Sequence, residues 1–133
     1  MQYKYVKKLE NEKLIKDFEK IVHFKFDDYF IDFIKENNGG RPSKKTFYIK
    51  NGEEKIVKTF LSFNKNDKEN IWNILLWKEV TFNGKYIPFA IDNFGNIICF
   101  YKKDSSIVFI EIETGNIEKV ASNFKDFISN LGG

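Results

Sequence analysis

Apolar positions change their spacing several times along this chain, and each change predicts a different element. Over residues 9–22, Leu14, Phe18, Ile21 and Val22 recur at helical intervals, with Glu12, Lys13, Lys16, Asp17, Glu19 and Lys20 on the other face. After a break at His23–Phe26, Asp27 is an N-cap for a second helix with Phe30, Phe33 and Ile34 inward and Asp28, Asp32, Lys35 and Glu36 in water. That helix ends at Asn37-Asn38-Gly39-Gly40, and Pro42 blocks its continuation. The period then becomes two. Thr46–Lys50 and Glu54–Phe63 read as strands around an Asn51-Gly52 turn. Asp67 is the expected cap of a third helix through Ile71, Trp72, Leu75 and Leu76, and Asn83-Gly84 leads out of it.

Residues 84–101, GKYIPFAIDNFGNIICFY, are the stretch around which the rest is organised. Ile87, Phe89 and Ile91 alternate with Pro88, Ala90 and Asp92; after a turn at Asp92–Asn96, Ile98 and Phe100 oppose Ile97, Cys99 and Tyr101. Both faces are apolar, which places this hairpin in the middle of a sheet covered on at least one side. Pro88 has no N–H to give to a ladder, so its position must be a strand start, a bulge or an unpaired edge. Gly95 answers a turn that needs positive φ. Ser106–Glu113 and Ile117–Val120 complete an antiparallel meander, and Ser122 caps a final helix whose stripe is Phe124, Phe127, Ile128 and Leu131. The prediction is one α+β domain over residues 1–133, in the order ααββαββββα, with about four helices packed on a six-stranded, mainly antiparallel twisted sheet.

Composition narrows the function classes. The chain has 133 residues, 17% aromatic, with 15 Phe, so a real core with an aromatic interior is expected. The net charge of +3 is unevenly spread: residues 1–66 hold 15 basic and 10 acidic side chains, residues 67–133 hold 7 and 9. A surplus of that size is weak support for a nucleic-acid surface, and Arg41 is the only arginine. Cys99 is the only cysteine, so no intrachain disulfide forms and a reducing cytoplasm is the expected home. The first residues have charges with no apolar run behind them, and Ile71–Trp77 is too short to span a bilayer, so no membrane partner is expected.

Three pieces, in order and on the right elements, resemble the SUKH superfamily, the Smi/Knr-like group that includes fungal cell-wall assembly regulators and many bacterial toxin-immunity proteins. The second helix followed by Asn38-Gly39-Gly40 is similar to its helix-NGG signature. Ile87-Pro88-Phe89-Ala90 with Asp92 and Gly95-Asn96 is similar to its central hairpin. Thr114-Gly115, then Val120-Ala121-Ser122-Asn123-Phe124-Lys125-Asp126-Phe127, resembles its closing turn, strand and helix. The resemblance covers nearly the whole chain and assigns structural roles to Asn38, Gly39, Gly40, Pro88, Phe89, Gly95, Phe124 and Phe127. Many relatives carry an aromatic and a histidine in the fifth strand, where this chain has Ile110-Glu111-Ile112-Glu113, which implies a different partner.

Reactive chemistry is thin. His23 is the sole histidine and, with Cys99 in a strand, leaves no soft ligand set for zinc. Asp28 and Asp32 share a helix face that could hold a cation, but a solvated face is the simpler reading. Asp92 and Asp104 sit in turns, where carboxylates bind local backbone. Gly39-Gly40 lacks the context of a phosphate loop, and Tyr3-Lys4-Tyr5 with Lys44-Lys45 matches no RNA-recognition motif. The residues therefore read as a non-enzymatic binding protein with no cofactor, and the lack of a sustained heptad or an obvious isologous apolar helix predicts a monomer when free. The resemblance implies that it neutralises a cognate bacterial toxin by covering its active surface. The alternative is a regulatory interaction scaffold of the same fold with no toxin partner; a small hydrolase or nuclease on this sheet is the third reading. If Val108, Ile110 and Ile112 pack beneath the helices, then Ile107, Phe109, Glu111 and Glu113 form an open, acidic, partner-binding face. Otherwise the chain's own loops or helices cover them and the site moves to the loops at Asp92 and Asp104.

Overall fold

At the centre of the computed structural model, which describes residues 1–74 and 84–133, lies a five-stranded antiparallel sheet. The described elements run β1 (Tyr3–Lys4), α1 (Lys13–Val22), α2 (Asp28–Asn37), β2 (Arg41–Pro42), β3 (Thr46–Tyr48), β4 (Glu54–Ile56), β5 (Thr59–Phe60), α3 (Ile71–Ile74), β6 (Tyr86–Ile91), β7 (Ile97–Tyr101), β8 (Ile107–Ile110), β9 (Ile117–Ala121) and α4 (Phe124–Ser129). Strands β5 to β9 lie in sequence order, so the predicted meander is present and β7 occupies the middle. The class is α+β, as expected. The six-stranded sheet is corrected to five strands and two ribbons, β1–β2 and β3–β4. The predicted strand Glu54–Phe63 splits: Glu54–Ile56 pairs with β3, while Thr59–Phe60 crosses to the edge of the main sheet. The predicted helix positions Leu75 and Leu76, together with Trp77 and Asn83, lie outside the described residues.

Local chemistry explains the boundaries. The Asp27 carboxylate accepts a hydrogen bond from Phe30 N at 2.8 Å and starts α2. Two other caps fall on asparagines instead of the expected residues. Asn70 Oδ1, not Asp67, accepts from Asn73 N at 2.9 Å to open α3, and Asn123, not Ser122, accepts from Asp126 N at 2.8 Å to open α4. Gly39, at φ +67°, turns the chain out of α2. A side chain at Gly40 would put its Cβ 2.9 Å from the Asn37 carbonyl oxygen, so that position is closed to anything larger. Pro88 sits beside a bulge: β6 loses register with β7 between Pro88 and Ala90, as a residue without an N–H requires.

Helices α1, α2 and α4 cover one face of the sheet. Their Ile15, Phe18, Phe30, Phe33, Ile34, Phe124 and Phe127 meet Ile87, Phe89, Ile98, Phe100, Ile107 and Phe109 from the strands. Phe30 is fully buried, with the rings of Phe26, Phe124 and Phe100 centred 4.6, 4.8 and 5.1 Å away. Aromatic pairs of this kind add about 0.5–1.5 kcal/mol each beyond the area they bury. The opposite face carries a smaller cluster of Ile97, Cys99, Val108 and Ile110, flanked by the stacked rings of Tyr86 and Tyr101.

A buried polar knot ties the N-terminal segment to this frame. Asn38 is 1% exposed; its Nδ2 donates to the Lys7 carbonyl at 2.7 Å and to Ser62 Oγ at 3.0 Å, and its Oδ1 accepts from Phe63 N at 2.8 Å. Ser62 Oγ donates in turn to Asp67 at 2.6 Å, while Asn64 binds the Lys8 carbonyl and the Glu10 amide. Asp67, expected as a helix cap, is therefore spent on this knot.

Candidate functional site

The turn from Asp92 to Asn96 is built to hold one side chain in water. Asp92 is 3% exposed, and its Oδ1 accepts from Phe94 N and Asn96 N, both at 2.8 Å, while Oδ2 accepts from Asn96 Nδ2 at 2.8 Å. Gly95 supplies φ +82°, and the Asp92 N–H closes the loop on the Asn96 carbonyl at 3.1 Å. A carboxylate saturated in this way fixes the turn, and the turn leaves Phe94 85% exposed. Asn96 Oδ1 also accepts from Ile112 N at 3.0 Å, which fastens this turn to the one joining β8 and β9.

That second turn brings Glu111 and Glu113 to the same end of the sheet. Glu111 is half-buried and accepts from Thr114 Oγ1 at 3.0 Å; Glu113 is exposed. Lys55 lies nearby with its ammonium 5.4 Å from the Phe109 ring centre. Its pKa is raised, chiefly by its hydrogen bond to Glu53 and less by the charges of Glu111 and Asp92, while desolvation acts the other way. Asp104 is at the opposite end, in the turn between β7 and β8, where it is exposed and hydrogen bonds from Ser106 hold its carboxyl below the usual range. Asp92 and Asp104 therefore form no pair and no shared loop site.

The predicted face of β8 is inverted. Ile107 and Phe109 are 0% and 2% exposed and belong to the main core under the helices, where the Phe109 ring lies 5.7 Å from Phe47. Val108 and Ile110 lie on the other side, with Ile112 packed against them. Both faces of β8 are apolar, so alternation alone does not choose between them; the larger ring takes the deeper side. Of the proposed open face, Glu111 and Glu113 remain at the rim, and Phe94 is an exposed aromatic at that end.

Asn38 anchors the polar knot, Phe89 and Phe124 are fully buried, and Phe127 is 3% exposed. His23 is exposed and ends α1 at φ 54°, and Cys99 is buried, with desolvation pushing its thiol pKa well up. Among the described residues no three His, Cys, Asp or Glu side chains converge to hold a metal, and no helix is long and apolar enough to cross a membrane.

Beside Asn93 the surface sinks into a cleft that local sequence signals do not reveal. Lys4, Tyr5, Arg41, Lys45 and Lys58 line it together with Asn93. The Arg41 guanidinium stands 5.2 Å over the Tyr5 ring and 3.8 Å from Glu69, which accepts from Lys58 at 2.7 Å. These residues meet only because β1 pairs with β2 and because Lys58 N donates to the Ile91 carbonyl at 2.8 Å.

A family model described as SMI1-KNR4 cell-wall, one of the SUKH group, matches residues 12–128. No curated protein matches the chain.

Proposed function

This chain belongs to the SMI1-KNR4 cell-wall family of the SUKH group, and we propose on that basis that it is a non-enzymatic immunity protein. In this reading it acts in the cytoplasm as a monomer, binding a cognate bacterial toxin and covering its active surface. The observation that carries the reading is Phe94. A phenylalanine held 85% in water by a buried carboxylate and a left-handed glycine gains nothing for the folded monomer. Placed on a partner, the same ring supplies a large apolar contact from a turn that needs no reordering, which is how binding hot spots gain affinity. Glu111 and Glu113 at the same end give a charged rim that would speed association with a basic toxin surface. Neutralisation is then occlusion: a rigid end of the sheet seated over the toxin's substrate path.

Co-expression with the product of the neighbouring gene tests this. The wild-type chain is expected to co-purify with that product and to protect cells from it. Phe94→Ala, whose side chain touches no core, is expected to fold normally and lose at least tenfold in affinity, as a hot-spot residue does. Glu111→Lys combined with Glu113→Lys is expected to slow association. Undiminished binding by Phe94→Ala moves the site off this turn. No complex with the neighbouring product returns the chain to a general interaction scaffold.

A further inference from the structure

The cleft beside Asn93 has a volume of about 390 Å³ and a floor of Pro42, Ile56 and Val57. Among the described residues, Lys4, Arg41, Lys45 and Lys58 line it and no carboxylate does. This concentration is costly. Lys4 and Arg41 are directly opposite in the β1–β2 pair, where like charges repel. Tyr5, which walls the cleft, sits at φ 57°, a left-handed conformation that an aromatic residue adopts only under constraint, and its ring is 67% exposed. Among the described residues the Arg41 guanidinium makes one ion pair at 3.8 Å and no hydrogen bond, and Lys4 and Lys45 make no side-chain hydrogen bond or ion pair. A guanidinium held over an aromatic ring, making no hydrogen bond among the described residues, is prepared for an oxyanion.

We infer that this cleft receives a carboxylate-bearing segment of a partner protein. Arg41 is the recognition residue, Tyr5 holds its guanidinium flat, and Lys4, Lys45 and Lys58 supply the surrounding field. The neighbourhood favours an acidic protein segment over a nucleic-acid strand. Tyr5 and Arg41 also wall a second cleft, of about 270 Å³, where Asp67 and Glu69 stand with Lys7 and Lys68. A phosphate backbone continuing past Arg41 would have to pass two carboxylates as well as two lysines, whereas an aspartate, a glutamate or a chain terminus needs only the cationic cleft. Asn93 joins the cleft to Phe94, so a partner that seats a carboxylate there brings its next residues onto the exposed ring. The inference rests on the reading of this chain as a protein-binding module but not on what the partner does.

The test is a titration of the isotope-labelled full chain with an N-acetylated hexaglutamate peptide at low ionic strength, followed by amide chemical shifts. Binding is expected to saturate, to weaken as salt is added, and to move the amides of Lys4, Tyr5, Arg41, Lys58 and Asn93. Arg41→Gln and, separately, Lys45→Gln are expected to weaken it, the first by about tenfold, the loss of one charge-assisted fork. Lys16→Gln, the same charge change on α1, is expected to leave it within about twofold, the level of a screened surface charge. A titration that does not saturate, or shifts centred elsewhere, overturns the inference. A hexathymidylate strand or inorganic phosphate binding the cleft as tightly as the peptide overturns it in favour of a phosphate site. A flat peptide titration leaves toxin capture through Phe94 standing, and failure to find a toxin leaves the titration result standing.

Discussion

Replacing Asn38 by leucine isolates what the buried polar knot contributes. The two side chains branch alike, so no cavity opens; leucine is the bulkier, so any overpacking adds to the loss of hydrogen bonding. Three bonds go: to the Lys7 carbonyl at 2.7 Å, to Ser62 Oγ at 3.0 Å and from Phe63 N at 2.8 Å. Ser62 Oγ keeps its bond to Asp67, but the Phe63 amide and the Lys7 carbonyl lose these partners in a site that is 1% exposed at Asn38. At about 1–3 kcal/mol for each stranded group, Asn38→Leu is expected to cost about 4 kcal/mol. For a chain of this length that is a fall of roughly 12 °C in Tm, near the middle of the range expected per kcal/mol. Urea denaturation should show a lower midpoint with an unchanged slope, because the surface exposed on unfolding is the same. Hydrogen exchange should show a local effect too. The amides of Lys7 and Glu10, bonded to the Asn38 carbonyl and to Asn64 Oδ1, should exchange faster in the variant well below the denaturant midpoint. A variant that melts within about 3 °C of the parent, less than one kcal/mol on the same scale, would refute this reasoning and assign the role of Asn38 to packing.

Two further expectations test other parts of the frame. Gly95→Val should destabilise by about 1–3 kcal/mol through backbone strain alone, because φ is +82° and an added Cβ would meet nothing within 4 Å; an unchanged urea midpoint would mean that the turn relaxes freely. Burial pushes the Tyr3 phenol up to about 12 from the ordinary 10.0, with the Tyr29 phenol a smaller influence. Since the folded state holds that proton more tightly than the unfolded chain, the contribution is complete below pH 10, declines as pH rises and is gone above about 12. Burial raises the Tyr86 phenol as well, so absorbance titration should show a late-ionising tyrosine component that Tyr3→Phe reduces without abolishing.

What could be read before folding was whatever a few neighbouring residues decide. Pro88 announced its bulge because a missing N–H has few tolerable places, and Asp27 announced α2 because its carboxylate reaches an amide three residues on. Where two polar residues competed, at Asp67 against Asn70 and Ser122 against Asn123, spacing did not decide, since each can accept a capping bond from the amide three residues on and tertiary demands chose between them. The strand Ile107–Ile110 is buried on both sides, so alternation left its facing open, and the bulge between Ile107 and Val108 added another shift. For the functional surface, Asp92 and Gly95 signalled the turn, but not that Phe94 would be its exposed tip. The Arg41 cleft depends on pairing Tyr3–Lys4 with Arg41–Pro42, a contact between distant two-residue strands with no periodicity to betray it. Only the uniqueness of Arg41 hinted at a special position.

The interior built around Phe30 and Phe89 has an optical consequence. Phenylalanine is not excited at wavelengths selective for tryptophan and emits weakly at any, so the centre of this protein is dark. Trp72 looks instead at its border: its ring meets Phe18 edge-on at 5.3 Å, its Nε1–H donates to the Phe63 carbonyl at 2.7 Å, and the Lys65 ammonium lies 4.5 Å from its ring centre. In a Trp77→Phe variant, emission from Trp72 therefore reports the seam between α1 and the loop before α3, while far-ultraviolet dichroism reports the backbone of the whole sheet. Agreement between the two melting curves would show that seam and sheet open as one cooperative unit. An earlier change in emission would mark α1 peeling from a sheet whose phenylalanine interior is still closed.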